Sequence, residues 1–365
     1  MKIIQHGFVT PKEEYPRAYN GWPTVISLSD GTLLAAWSGN RLKHICPFGE
    51  VKAARSTDGG YTWGEPYTIQ NTPLDDRDAG LCEVAPGRIL MTSFSEGRDV
   101  TYKYLKHWLH APRTTEEREL IEKRAAEITD ADEARYLGPT LALSTDNGHT
   151  FSDPVVVDVS SPHGPTLLKS GEILYVGSWA GKDTGYAAGQ RRGIFALRLD
   201  AQGSVLGDAQ PVASTPTEGD FVFCEPYAKQ MPNGDILVAI RAESKKLDLR
   251  TTYLCRSTDG GKTFSEAAPT GWLGMPAHIF VTSKGEVVIA YSRREDPMGI
   301  RARVSRDNGY TWSEELVLRE DGLDWDLGYP TTTENGNGEL VTVYYMKDKK
   351  GLNENRIQYT IWTLK

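Results

Sequence analysis

The sequence predicts an all-β chain folded as a six-bladed β-propeller with a helical insertion in the second blade. Three observations carry that expectation. One octapeptide recurs four times, a Gly-turn hairpin recurs six times, and one long interval between hairpins has helical rather than strand composition. Repeats of this length point to propeller blades, in which each unit buries its faces only against its neighbours.

The octapeptide reads STDGGYTW at 56–63, STDNGHTF at 144–151, STDGGKTF at 257–264 and SRDNGYTW at 305–312. Its Asp and Ser/Thr side chains hold a tight turn through local hydrogen bonds, its Gly supplies a positive φ, and its last aromatic packs between sheets. It marks a hairpin and says nothing about chemistry. A weaker repeat covers more of the chain: SDGTLLAAW (29–37), APGRILMTS (85–93), KSGEILYVG (169–177), PNGDILVAI (232–240), SKGEVVIAY (283–291) and GNGELVTVY (336–344). Each places a Gly turn before a run of β-formers, the signature of a hairpin. The glycines at 31, 87, 171, 234, 285 and 338 lie 56, 84, 63, 51 and 53 residues apart, which suits four-stranded blades with their loops. Six blades in a single domain over 1–365 follow.

The longest interval contains KYLKHWLHAPRTTEERELIEKRAAEITDADEARYLG, dominated by Ala, Glu, Arg and Leu, with TTEE as a helix start. It predicts two helices over about 103–137 within blade two, placed to shape a pocket rim or a homo-oligomer contact.

A net charge of -8 argues against a nucleic-acid or anionic-membrane partner, since both need clustered positive charge. No apolar run approaches the ~18 residues of a membrane span, and the residues after Met1 lack a signal-peptide core, which predicts a cytoplasmic protein. Cys46, Cys82, Cys224 and Cys255 have no metal-ligand spacing and read as buried free thiols, so no metal is expected. No Gly-rich loop between strand and helix announces a cofactor, and the octapeptides lack the Glu that closes a calcium loop. The expected partner is a carbohydrate substrate.

In a propeller the first strand of each blade lines the central channel. Residues just before first strands and just after second strands therefore meet at one mouth. Before first strands lie Trp22, Asp76, Asp78, His163, Glu225, His278, Asp326 and Tyr329; after second strands lie Arg41, Arg241, Arg293 and Arg294. That ring is far more polar than a plain structural pore requires.

The octapeptides, or Asp-boxes, together with the six hairpins resemble the sialidase superfamily of BNR-repeat propellers over essentially the whole chain. The resemblance is specific for fold but not for activity, because such propellers also include lyases, other glycosidases and binding proteins. It implies Tyr329 in blade six as nucleophile and Glu225 in blade four as the base that takes its proton, as a phenol needs. It also implies Arg241, with Arg294 or Arg293, as carboxylate-binding arginines, and Asp76 or Asp78 as a substrate contact.

The first blade departs from the family. Where sialidases carry Arg-Ile-Pro this chain has Gly21-Trp22-Pro23, so one arginine of the carboxylate clamp is missing; Arg17 is the nearest cation in sequence. The family's general acid falls near His44, which can serve as acid or base. Asp76, Asp78, Asp326 and Glu225 also offer the carboxylate pair of ordinary glycoside hydrolysis. Trp22, Trp179 and Trp325 are available to stack on sugar faces. The expectation is a sialidase-like, exo-acting glycoside hydrolase that releases a terminal sugar other than ordinary sialic acid. Three alternatives stay open: a true sialidase, a polysaccharide lyase acting on uronates through His44, His163, Tyr329 and Arg241, and a non-catalytic carbohydrate-binding propeller.

Overall fold

All six repeat glycines take left-handed φ values, from +72° at Gly338 to +97° at Gly234, so each repeat closes as a hairpin. The computed structural model describes residues 1–13, 16–106, 112, 114–180, 193–347 and 354–364. Six antiparallel sheets are found among them. Blades one and two start from the innermost strands Tyr19–Ser27 and Asp75–Ala85, and blades four and five from Phe221–Gln230 and Ala277–Val281. In blade three the innermost strand is split into Val159–Ser160 and Thr166–Leu167, both paired with Ile173–Trp179. Blade six runs outward from Gly328–Glu334 through Leu340–Lys347 and Asn355–Thr363, and its outermost strand is Lys2–Phe8 from the other end of the chain. That pairing closes the ring and leaves blade six with the same four strands as its neighbours.

Between blades the core is apolar and fully buried, as in the layer of Leu34, Ala36, Leu81 and Met91 joining blades one and two. The Asp-boxes sit between third and fourth strands of blades one, two, four and five, on the face opposite the channel mouth. In the first, Asp58 accepts from the Thr62 amide at 2.9 Å and the Thr62 hydroxyl at 2.6 Å, while the Ser56 hydroxyl accepts from Gly60 N at 2.8 Å. The same donors hold Asp146, Asp259 and Asp307 well below the usual carboxylate range. These aspartates are structural staples, remote from the mouth.

Between the second and third strands of blade two stand three helices rather than the expected two: α1 (Arg98–Leu105), α2 (Thr115–Glu127) and α3 (Asp130–Tyr136). Residues 107–111 and 113 of the expected helical span lie outside the described residues. Thr114 caps α2 by accepting from Glu117 N, and Thr129 with Asp132 forms a capping box on α3. Strand order places this insertion at the mouth. Its inner face buries Leu105 and Ile121 against Leu42 and Cys46 of the blade-one loop, and Lys43 pairs with Glu117 at 2.8 Å. Among the described residues the four cysteines are unpaired, and no helix is long and apolar enough to cross a membrane.

Candidate active site

Four of the innermost strands carry the same irregularity. The register jumps from Gly21–Ser38 to Thr24–Ala36 in blade one, and from Arg77–Phe94 to Gly80–Thr92 in blade two. It jumps again from Cys224–Arg241 to Tyr227–Ala239 in blade four, and from Gly328–Tyr345 to Thr331–Val343 in blade six. Two residues of the inner strand thus oppose one of its partner, which is a β-bulge. The first residue of each bulge is left-handed: Trp22 at φ +53°, Asp78 at +53°, Glu225 at +46° and Tyr329 at +50°. Such a φ costs a non-glycine residue about 1–2 kcal/mol, and strain of this kind clusters at functional sites.

All four residues line one pocket of ≈ 380 Å³ at the mouth, together with His44, Arg77, Glu96, Arg241, Arg294 and Trp325. Tyr104 of α1 adds the insertion's own contribution to the wall. A larger groove of ≈ 740 Å³ lies on the opposite face between blades five and six, but there Arg306 pairs with Glu286 at 2.9 Å, Glu334 holds Ser283, and Glu339 holds Tyr61 and Asn335. Chemistry, not size, singles out the mouth.

At its centre the Tyr329 hydroxyl donates to Glu225 Oε1 at 2.7 Å and accepts from Arg241 at 2.8 Å. Arg241 also binds Glu225 Oε2 at 2.6 Å and, through Nε, Glu243 at 2.6 Å. Burial opposes ionisation of Glu225, but the Arg241 charge and the bonds from Tyr329 and Arg241 outweigh it, so the carboxyl lies below its ordinary value. Burial, followed by the neighbouring Glu225 charge, pushes the Tyr329 phenol well above 10. Across the pocket, burial pushes the Asp78 carboxyl up to about 7, and its Oδ1 has no hydrogen-bond partner.

His44 stacks edge-on to Trp22 at 4.9 Å, and its Nδ1 lies 3.2 Å from Asp326. Asp326 also accepts from Tyr345 at 2.9 Å and from Tyr19 at 3.0 Å. Burial lowers the imidazole pKa and outweighs Asp326, so His44 is neutral near pH 7. Burial disfavours the Asp326 anion, but His44, the Tyr345 bond and Arg294 hold its carboxyl well below the usual range.

The sequence matches the BNR repeat-like domain family over residues 128–342, more than half of the chain. The chain belongs to that family. Solved structures similar to this BNR-repeat protein include a protein of unknown function from Dyadobacter fermentans, 20% identical with a TM-score of 0.75, covering 100% of this chain and 99% of that one. The intramolecular trans-sialidase from Ruminococcus gnavus is 17% identical with a TM-score of 0.63, covering 98% of this chain and 97% of its own. The NanB sialidase from Streptococcus pneumoniae is 13% identical with a TM-score of 0.64, covering 97% and 70%. No match was found among curated proteins. The BNR-repeat chain is a six-bladed propeller, the fold it shares with these sialidase structures.

Several residues expected at the mouth lie elsewhere in this BNR-repeat propeller. Arg41 is fully buried in an ion pair with Asp75, and Asp76 is buried among Gln70, Thr72 and Ser95, so neither can meet a substrate. His163 and His278 lie deeper in the channel: His163 sits 6.2 Å from the Tyr329 ring, and His278 stacks on Tyr227 at 4.3 Å. Burial pushes His163 down to about 4, and it has no hydrogen-bond partner on either ring nitrogen. Asp326 supports His44 instead of lining the pocket. Arg293 turns to Glu315 at 3.5 Å, which leaves Arg294 as the blade-five arginine in the pocket. Trp179 packs on Phe195 within blade three, and Arg17 lies over Phe48. Arg77, Phe94, Glu96 and Tyr104 also line the pocket, although no sequence motif marks them as site residues.

Proposed function

We propose that this propeller is a sialidase-like, exo-acting glycoside hydrolase, and the observation that carries the reading is the Tyr329 hydroxyl held between Glu225 and Arg241. In the first step the phenol oxygen attacks the anomeric carbon as Glu225 takes its proton; the bond to the leaving oxygen breaks, and that oxygen receives a proton from Asp78. In the second step water, deprotonated by Asp78, displaces Tyr329, and Glu225 returns the proton. A phenol that is neutral at rest cannot attack without such a base, which the adjacent ionised Glu225 provides. Arg241 steadies the phenolate as it forms. A pocket of ≈ 380 Å³, with Tyr104 of the insertion on its wall, suits one terminal sugar.

The acid role for Asp78 has a pH signature. A general acid must be protonated, so kcat/KM falls as pH rises through about 7, while Glu225 must be ionised, which puts the other limb below the ordinary glutamate range. Asp78→Asn should lower the rate by about 10²–10⁴-fold and abolish the alkaline limb. An unchanged limb in that variant would remove Asp78 from the role.

One observation favours a second reading. His44, neutral and oriented through Nδ1 by Asp326, has the form of a general base, as a lyase removing the proton beside a uronate carboxylate would need. A screen against aryl glycosides and acidic oligosaccharides separates the two. Released aglycone and reducing ends without a gain in absorbance near ~235 nm support hydrolysis, whereas that gain reports the double bond of elimination. Silence in both readouts counts against either enzyme.

A further inference from the structure

We propose that Arg77 forms an anion subsite on the blade-two side of the pocket, which takes a carboxylate or sulfate substituent of the bound sugar. This rests on the reading of the pocket as a sugar site. Arg77 is only 5% exposed, yet it lines the pocket. Its guanidinium carbon lies 4.4 Å from the Trp22 ring centroid and 5.4 Å from that of Phe94. The two aromatics fix the plane of the guanidinium and offset part of its desolvation. Its Nε is buried with no hydrogen-bond partner, and Arg77 makes no ion pair among the described residues.

Its neighbours differ. Arg41 is taken by Asp75, Arg241 by Glu225 and Glu243, and Arg293 by Glu315. Native proteins avoid a nearly dry, unpaired guanidinium unless an anion arrives to complete it. The nearby pocket carboxylates Asp78 and Glu96 feel the Arg77 charge, but neither reaches it as an ion pair among the described residues, and burial outweighs that charge and raises both. Arg294, the other pocket guanidinium without a carboxylate, donates to the Leu327 carbonyl at 3.2 Å and lies over the Tyr329 ring at 5.6 Å, on the blade-five side. The bulge turns the Trp22 indole into the pocket, and that indole carries the Arg77 cation from the second blade. A planar fork in this position matches the paired oxygens of a carboxylate or sulfate.

Ligand-observed NMR titration at neutral pH tests the assignment with glucuronate, glucose 6-sulfate and the methyl ester of glucuronic acid. None contains a glycosidic bond, so binding is read apart from turnover. At least one anionic sugar should bind about tenfold more tightly than the neutral ester, and the tighter of the two identifies the substituent. Arg77→Gln should erase the preference, Arg77→Lys should keep the charge but lose most of the gain from the fork, and Arg294→Gln should retain it. Thermal melting checks that each variant folds, and Arg77→Lys decides the matter alone if Arg77→Gln does not. Equal binding of all three sugars, or a preference lost only in Arg294→Gln, would overturn the subsite and leave the sugar-site reading standing. Binding of none of them would overturn both.

Discussion

Tyr329→Phe is expected to reduce kcat by about 10⁴-fold or more on whichever substrate the screen identifies, because it removes the attacking oxygen itself. The variant leaves the Glu225–Arg241 pair at 2.6 Å intact, and Tyr329 keeps its ring against Trp22 and Tyr345 in the buried cluster. Its melting temperature should therefore stay near that of the parent, so a loss of turnover cannot be assigned to unfolding. Glu225→Gln should cost less, about 10²–10³-fold, since the phenol remains but has no base and burial keeps it protonated. Single-turnover kinetics on both variants checks the order. Near-normal turnover in both would mean that the reaction occurs elsewhere. Loss in Glu225→Gln alone would pass the nucleophile's role to a carboxylate.

The largest effect on stability is expected at Asp75. Arg41 and Asp75 meet fork to fork at 2.5 and 2.8 Å, with 0% and 1% of their side chains exposed. Arg41 also donates to the Ser38 hydroxyl and to the His44 carbonyl, each at 2.9 Å. Asp75→Ala strands the guanidinium without its counterion and should destabilise the fold by about 3–5 kcal/mol. Water cannot easily take the carboxylate's place, because the packing is close: a Cβ on Gly49 would fall 2.0 Å from the guanidinium and 2.1 Å from Asp75. Urea unfolding should show a lower midpoint at an unchanged slope. A loss under about 1 kcal/mol would mean that the pair is far better solvated than its burial implies. Because Arg41 holds the His44 carbonyl, the variant should also loosen the loop that carries His44.

The blades were legible because their signal is repeated: a Gly turn before an apolar run, six times over. The closing strand was not. Lys2–Phe8 has no such turn, alternates exposed with half-buried residues, and pairs with a segment at the far end of the chain. Helix α1 was read short because RDVTYKYL carries Val, Thr and two Tyr, which suit a strand as well as a helix. At the site, Glu225, Tyr329 and Trp22 could be placed because each stands at the start of an inner strand, and the family resemblance implies the first two. Strict alternation failed where the bulges fall. Alternation puts consecutive residues on opposite faces, and the position at the strand start alone did not separate Asp76 from Asp78. The bulge instead brings Arg77 and Asp78 into the same pocket and leaves Asp76 sealed behind them. Arg41 misled for a similar reason: its place at a strand end suggested the mouth, and only the contact with Asp75 shows the side chain turned inward.

The pairing of Lys2–Phe8 with Asn355–Thr363 also sets the order in which a working molecule comes into being. During synthesis the first strand emerges from the ribosome with nothing to bind, and it waits until residue 363 has followed before the circle can shut. Trp22 and Tyr329 stand on the two blades that meet at this seam, 6.5 Å apart across it. A nascent chain with five finished blades therefore already holds Glu225, Arg241, Asp78 and the Trp22 indole that supports Arg77, but the Tyr329 hydroxyl comes to it only with the last blade.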